Sequence, residues 1–119
     1  MGQRKLFITL MRAELEDSIE GLEQLSGRLK ERLEKGEITN YVFNENGALL
    51  SREISGLKSL LPFVDAVKGA DYPDVYVLAQ HVGDALKKKA EEWEDPEAVG
   101  EIIARKIRKI LKYILELPE

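Results

Sequence analysis

A seven-residue repeat of apolar side chains near the start of the chain constrains the fold more than any other feature. The spacing places one apolar stripe along a single face of a helix that is predicted to end near Lys35. A helix of about 30 residues is ~45 Å long, whereas a compact chain of this size has a radius of gyration of ~13.5 Å. The stripe therefore predicts either an elongated bundle or contact with a second copy of the chain. The repeat and its flanks consist of Ile8, Met11, Leu15, Ser18, Ile19, Leu22, Leu25, Leu29 and Leu33.

Three later segments, near residues 50–67, 75–93 and 99–114, also carry apolar residues at helical spacing. Pro62 interrupts the first of them, so a kink or a new short helix is expected there. Asp95 and Pro96 predict a helix start, with Asp95 as the N-cap and proline at the first helical position. The sequence therefore predicts one all-α domain spanning 1–119, a bundle of four to five helices with a long N-terminal helix.

Two segments favour strands as well as helices. Residues 38–43 and 48–50 are β-prone and flank an Asn-Gly pair, which is typical of a short β-hairpin near 38–50. A loop leading into a helix fits the same residues. Residues 5–10 are also apolar and β-prone. If both segments are strands, the alternative fold is a small α+β domain.

Composition excludes several classes of protein. Hydrophobic residues make up 44% of the 119 residues, enough for a core, and the absence of cysteine removes disulfides and thiolate chemistry. Charged residues make up 34%, and this bias is typical of thermophilic proteins. The chain carries no run of ~18 apolar residues and no signal-peptide pattern. We therefore expect a cytoplasmic protein that does not enter a membrane.

No motif in the chain specifies a reaction. His81 is the only histidine, and it is followed by Asp84 and Ala85 where histidine phosphotransfer domains carry lysine and glycine. The acids of the first helix point away from its apolar stripe, and Glu20 lies ~16 Å along the axis from the next acidic pair, Glu31 and Glu34. They are therefore too far apart to share a metal ion. We expect no catalytic residue, no metal, no cofactor and a non-enzymatic role.

The last helix carries a basic stripe opposite its apolar face. The net charge of −4 argues against a dedicated nucleic-acid binder, although this stripe can contact phosphates. It can equally contact acidic residues of a protein partner, or be an ordinary solvated face rich in cations near a helix C-terminus. The stripe consists of Arg105, Arg108, Lys109 and Lys112.

Large aromatic residues occur away from the N-terminal stripe. Trp93 falls on the apolar face of the third helix, so it is expected in the core. Tyr41 and Phe43 are expected either to cap one end of the bundle or to anchor a partner.

These observations predict a helical protein-interaction module that self-associates, with a homodimer favoured. The alternative is an accessory nucleic-acid-binding subunit that uses the basic stripe of the last helix. Contact with a different protein partner fits the same surfaces. The predicted self-association residues are Ile8, Met11, Leu15, Ile19, Leu22, Leu25 and Leu29.

Overall fold

The computed structural model describes residues 2–118, and every regular element within them is helical. A single 3₁₀ turn, Gly69–Asp71, connects the second helix to the third. The predictions of an all-α bundle and of a long N-terminal helix are confirmed. The four helices are α1 (Gln3–Glu34), α2 (Asn40–Ala66), α3 (Val75–Glu92) and α4 (Glu97–Glu116).

The predicted strands are wrong, because residues 5–10 lie within α1 and most of residues 38–50 lie within α2. The Thr39 side chain caps α2 by accepting a hydrogen bond of 3.2 Å from the Val42 N–H. Gly36 ends α1 with a φ of 72°, as its left-handed preference predicts. The chain therefore reverses direction between two helices, and not within a β-hairpin.

Two predicted helix boundaries also differ. No new helix starts at Pro62, because α2 continues through it to Ala66. The N-cap residue of α4 is Pro96, and no side chain caps this helix. Asp95 does not cap it because its carboxylate lies against the backbone of Gly56 in α2. At the start of α3, by contrast, Asp74 accepts a hydrogen bond of 2.9 Å from the Val77 N–H.

The core lies at one end of the molecule, which we call the body. There α1 and α2 run side by side, and α3 and α4 cover one side of the pair. The other end, residues 25–50, consists of α1, α2 and the turn between them, and we call it the hairpin end. The molecule measures 54 × 32 × 18 Å with a radius of gyration of 16.7 Å, so it is elongated. The fully buried large side chains are Phe7, Met11, Leu15, Leu57, Leu60, Val64, Val75, Leu78, Val99, Ile103 and Ile114.

Candidate interaction surface

The N-terminal stripe divides between the body and the hairpin end. Met11, Leu15 and Ile19 are buried in the chain's own core. Ile8 and Leu22 are partly buried and pack against that core. The side chains of this first part of the stripe are thus already in contact with α2, α3 and α4.

The later part of the stripe has no covering layer. Leu25 is 45% exposed, although Leu22 and Leu29, about one turn away on either side, pack inward. Leu29 is 9% exposed and is the last buried residue of α1. On α2 the first buried residue is Glu53, and the preceding Leu49 is 46% exposed.

A shallow groove runs between the two helices at this end. Its floor is apolar and its only charged side chains are two arginines on α1, Arg28 and Arg32. The groove has a volume of about 450 Å³. We call this surface the open face. It is lined by Leu25, Arg28, Leu29, Arg32, Asn46, Leu49 and Leu50.

The open face lies on the side of α1 and α2 that carries α3 and α4 in the body. Glu14 of α1 contacts α4, and Arg32 follows it by eighteen residues, which is ~5 helical turns. Gly56 of α2 lies against Asp95, and Leu49 precedes it by seven residues, which is ~2 turns. The stripes that α3 and α4 cover therefore continue uncovered into the hairpin end.

The predicted basic stripe of α4 is partly engaged within the chain. The Lys109 ammonium lies 2.8 Å from Oε1 of Glu14, and the Lys106 ammonium lies 2.9 Å from Oε2. The hydrogen bond from Lys109 and, next to it, the contact with the Lys106 ammonium lower the pKa of Glu14 below its ordinary value, against the opposing effect of partial burial. Lys106 was not among the predicted residues, although it lies between two of them. Lys106 and Glu14 are far apart in the sequence, so the sequence alone did not indicate this ion pair.

The other cations of the stripe remain available. Arg105, Arg108 and Lys112 form no ion pair with another side chain of residues 2–118. Arg108 lines a groove between α3 and α4 together with Lys87. The sequence pattern therefore identified an exposed basic surface, of which Lys109 is held by α1.

Trp93 lies outside the core, contrary to the prediction. It follows the last residue of α3 and is 42% exposed, and its ring centroid lies 5.6 Å from that of Phe63. The last residue of α3 is Glu92, so Trp93 lies just beyond the helix. Its side chain therefore does not follow the apolar face of α3 into the bundle. An open hollow of about 370 Å³ adjoins this residue. It is lined by Ser51, Arg52, Ser55, Trp93, Glu94 and Asp95.

Asp95 occupies the boundary between the body and the hairpin end. Its Oδ2 is buried and has no hydrogen-bond partner within residues 2–118. Burial raises the pKa of Asp95 above its ordinary value, and the nearby Arg52 guanidinium opposes this shift. Arg52 also donates a hydrogen bond of 3.0 Å to the backbone oxygen of Glu94. The α3–α4 connection is thereby attached to α2 next to the inner end of the open face.

The residues considered for chemistry do not converge. His81 is exposed, with its ring 5.0 Å from that of Tyr72. Glu16 pairs with Arg12 along α1, and Glu23 lies 3.9 Å from Lys58 of α2. Across residues 2–118, no three histidine, aspartate or glutamate side chains cluster closely enough to hold a metal ion.

Comparison of the chain with known protein families, with curated proteins and with solved structures finds no match. None of the helices between residues 2 and 118 combines the length and apolar character needed to cross a bilayer.

Proposed function

We propose that this protein is a non-enzymatic helical interaction module that self-associates through the open face of its hairpin end. The observation that carries the proposal is the continuity of the two stripes. In the body they are covered by α3 and α4, whereas in the hairpin end the same faces of α1 and α2 have no covering layer. Helices bury such faces against another layer. A second copy of the chain supplies one.

The proposal uses only part of the predicted stripe. The residues with area to contribute are Leu25 and Leu49, which are 45% and 46% exposed, and the partly exposed Leu50. Met11, Leu15 and Ile19 support the face from within the body, since they hold α1 in place. Contact with another protein through the same face is the variant of this proposal in which the covering helices come from a different chain.

The test is the oligomeric state of Leu49→Lys. An ammonium at this position faces water in the monomer, but in the assembly it is buried on a face whose only charged side chains are Arg28 and Arg32, so we expect loss of self-association with the fold retained. The matched control is Leu115→Lys on α4, because Leu115 has the same exposed fraction of 46% and lies far along the chain from the open face.

Mass measured by light scattering over a range of concentrations decides the outcome. Association in Leu115→Lys and the unchanged chain, but not in Leu49→Lys, supports the proposal. Equal association in all three chains would place the contact elsewhere, and a monomer at every concentration in the unchanged chain would refute self-association.

A second candidate is an accessory nucleic-acid-binding subunit. It is favoured by the exposed cations Arg105, Arg108 and Lys112 and by Lys87, which shares a groove with Arg108. Binding of this kind weakens steeply between about 50 and 200 mM salt. The test is a triple Arg105→Glu, Arg108→Glu, Lys112→Glu variant, which leaves the Lys109 pair intact. The absence of any DNA or RNA binding at low salt in the unchanged chain would remove this candidate.

A further inference from the structure

A groove runs along the seam between α3 and α4, and no residue of α1 or α2 lines it. It has two adjoining parts, with volumes of about 340 and about 320 Å³, and Lys87 and Ala104 line both of them. On α4 its floor consists of small and apolar residues spaced four, three and four apart, which is the spacing of helix–helix contacts. None of the lining residues belongs to the open face, so the two surfaces can be tested separately. The floor residues of α4 are Gly100, Ala104, Ile107 and Leu111.

Acidic and basic residues are segregated along α4 beside this floor. Glu97 and Glu101 lie in the first half of the helix. Arg108 and Lys112 lie in the second half. The four side chains are exposed, none forms an ion pair with another side chain of residues 2–118, and all fall within an arc of ~60° of the helix surface. The helix macrodipole favours acids before bases, but here each charge also has a like charge one turn away, which disfavours the isolated helix.

These charges complement one another about a single midpoint. Glu101 and Arg108 lie equally far on either side of a point just after Ala104. Glu97 and Lys112 are equally far from the same point. An antiparallel α4 from a second copy, turned about this point, therefore places a base opposite each of the two acids and an acid opposite each of the two bases. A parallel α4 would place like charges at the same level.

The α3 side of the groove has the same property about the same axis. A Cβ at Gly83 would lie 3.1 Å from Cδ1 of Ile107, so the two helices are level at these residues. Because α3 and α4 run in opposite directions, the midpoint of the α4 charges is level with a point just after Ala85. Asp84 and Lys87 line the groove and lie equally far on either side of that point. The axis that pairs the charges of α4 therefore also brings Asp84 opposite Lys87 of a second copy.

We infer that the protein forms a two-fold contact with a second copy through this groove, in which α3 and α4 lie antiparallel to the same helices of the other copy. The chain itself supplies both sides of the contact, and two-fold pairing is the commonest symmetry of protein assemblies. Gly100 and Ala104 allow the two α4 helices to approach closely, since the distance between packed helices depends on the side chains at the contact. A Cβ at Gly100 would meet nothing within 4 Å in the monomer, so this residue faces open space. Arg105 lies ~20° beyond the charged arc, at the edge of the contact, where its charge stays in water.

The size and chemistry of the contact predict an association that depends on salt. The two helices are 18 and 20 residues long, so their shared face measures ~27 × 20 Å. Two such faces bury on the order of 1,000 Å² in total, the lower limit for a specific interface. Exposed charges are screened over ~10 Å at 0.1 M ionic strength. We therefore expect this contact at ~20 mM salt and its loss at ~200 mM, where association through the open face is measured without it.

Charge reversal in the Leu49→Lys background tests this contact, because Leu49→Lys removes association through the open face. Light scattering of this parent chain at ~20 mM salt should show a mass that doubles with concentration. Arg108→Glu brings acids together, and Glu101→Arg brings bases together, so each should raise the dissociation constant at least ~10-fold. An equimolar mixture of these two variants should associate like the parent, since every acid again faces a base.

The matched control is Lys30→Glu on α1, which makes the same change of charge as Arg108→Glu at an exposed residue that lines neither surface. It should associate like the parent, and circular dichroism checks that the helices of every variant are intact. A parent that stays monomeric at every concentration, or a mixture of Arg108→Glu and Glu101→Arg that fails to associate, would overturn the contact. The open face is tested separately, by the mass of the chain without Leu49→Lys at ~200 mM salt.

Discussion

Replacing Gly56 by alanine tests the contact that joins the α3–α4 connection to α2. A Cβ at residue 56 would lie 2.9 Å from Cγ of Asp95 and 3.0 Å from each carboxylate oxygen. These distances are well inside the optimal separation of ~3.5–4.0 Å. The Asp95 backbone N–H donates a hydrogen bond of 2.9 Å to the Ala90 oxygen, and Glu94 holds a φ of 53°. The backbone of Asp95 is therefore held in place, and its carboxylate can avoid the added Cβ only by rotating about its own side-chain bonds.

Two opposing effects set the magnitude. Overpacking of a well-fitted contact costs about 1–3 kcal/mol, whereas alanine in place of glycine inside a helix stabilises it by about 1 kcal/mol. We expect Gly56→Ala to lower the free energy of unfolding by about 1 kcal/mol. With Asp95→Ala already present the clash is absent, so the same change should raise it by about 1 kcal/mol. The coupling between the two positions is then about 2 kcal/mol.

Urea denaturation followed by circular dichroism measures all four chains of this cycle. The protein concentration must be equal and low, because any association adds to the apparent stability. An increase of about 1 kcal/mol on Gly56→Ala in both backgrounds would mean that the Asp95 side chain does not lie against α2.

Two further predictions concern pH. The pKa of Glu14 is lowered by the hydrogen bond from Lys109 and the ion pair with Lys106. The stability that Glu14 contributes is therefore present above the ordinary pKa of 4.5 and is lost as pH falls through its lower pKa in the folded protein. Glu14→Gln should therefore be less stable than the unchanged chain at pH 7, by about 1 kcal/mol, and equally stable at low pH in urea titrations. For Asp95 the shift is opposite, because burial raises its pKa. The free energy of unfolding therefore falls as pH rises from the ordinary pKa of 3.8 through the higher pKa of Asp95 in the folded protein. Asp95→Asn should be more stable than the unchanged chain at pH 7 and should lose this advantage below pH 3.8; an unchanged advantage at low pH would contradict the burial of the charged group.

The long helix and its end were predictable because each depends on local sequence. The seven-residue repeat defines one face of α1 without reference to the rest of the chain. Gly36 supplies the left-handed residue that a helix end requires. The segment from Ile38 to Phe43 was misassigned since its β-branched and aromatic residues carry only a weak preference. The Thr39 cap and the packing of α2 along α1 override that preference.

The uncovered part of the stripe was not predictable from the sequence. Met11 and Leu25 occupy the same position of the seven-residue repeat, yet Met11 is buried and Leu25 is 45% exposed. The difference depends on where α3 and α4 end, which no local pattern in α1 encodes. The same holds for Asp95, whose position after α3 predicted a cap. Its contact with Gly56 joins residues that are far apart in the sequence.

Small-angle X-ray scattering over a concentration series tests self-association through the hairpin end, because it gives mass and length together. The monomer is 54 Å long. Two copies that overlap only by their ~20 Å hairpin ends give a dimer of roughly 90 Å. We predict that the mass doubles and that the maximum dimension rises to this value, both with the same midpoint. A doubled mass with a maximum dimension near that of the monomer, or a mass that never changes, would contradict the account.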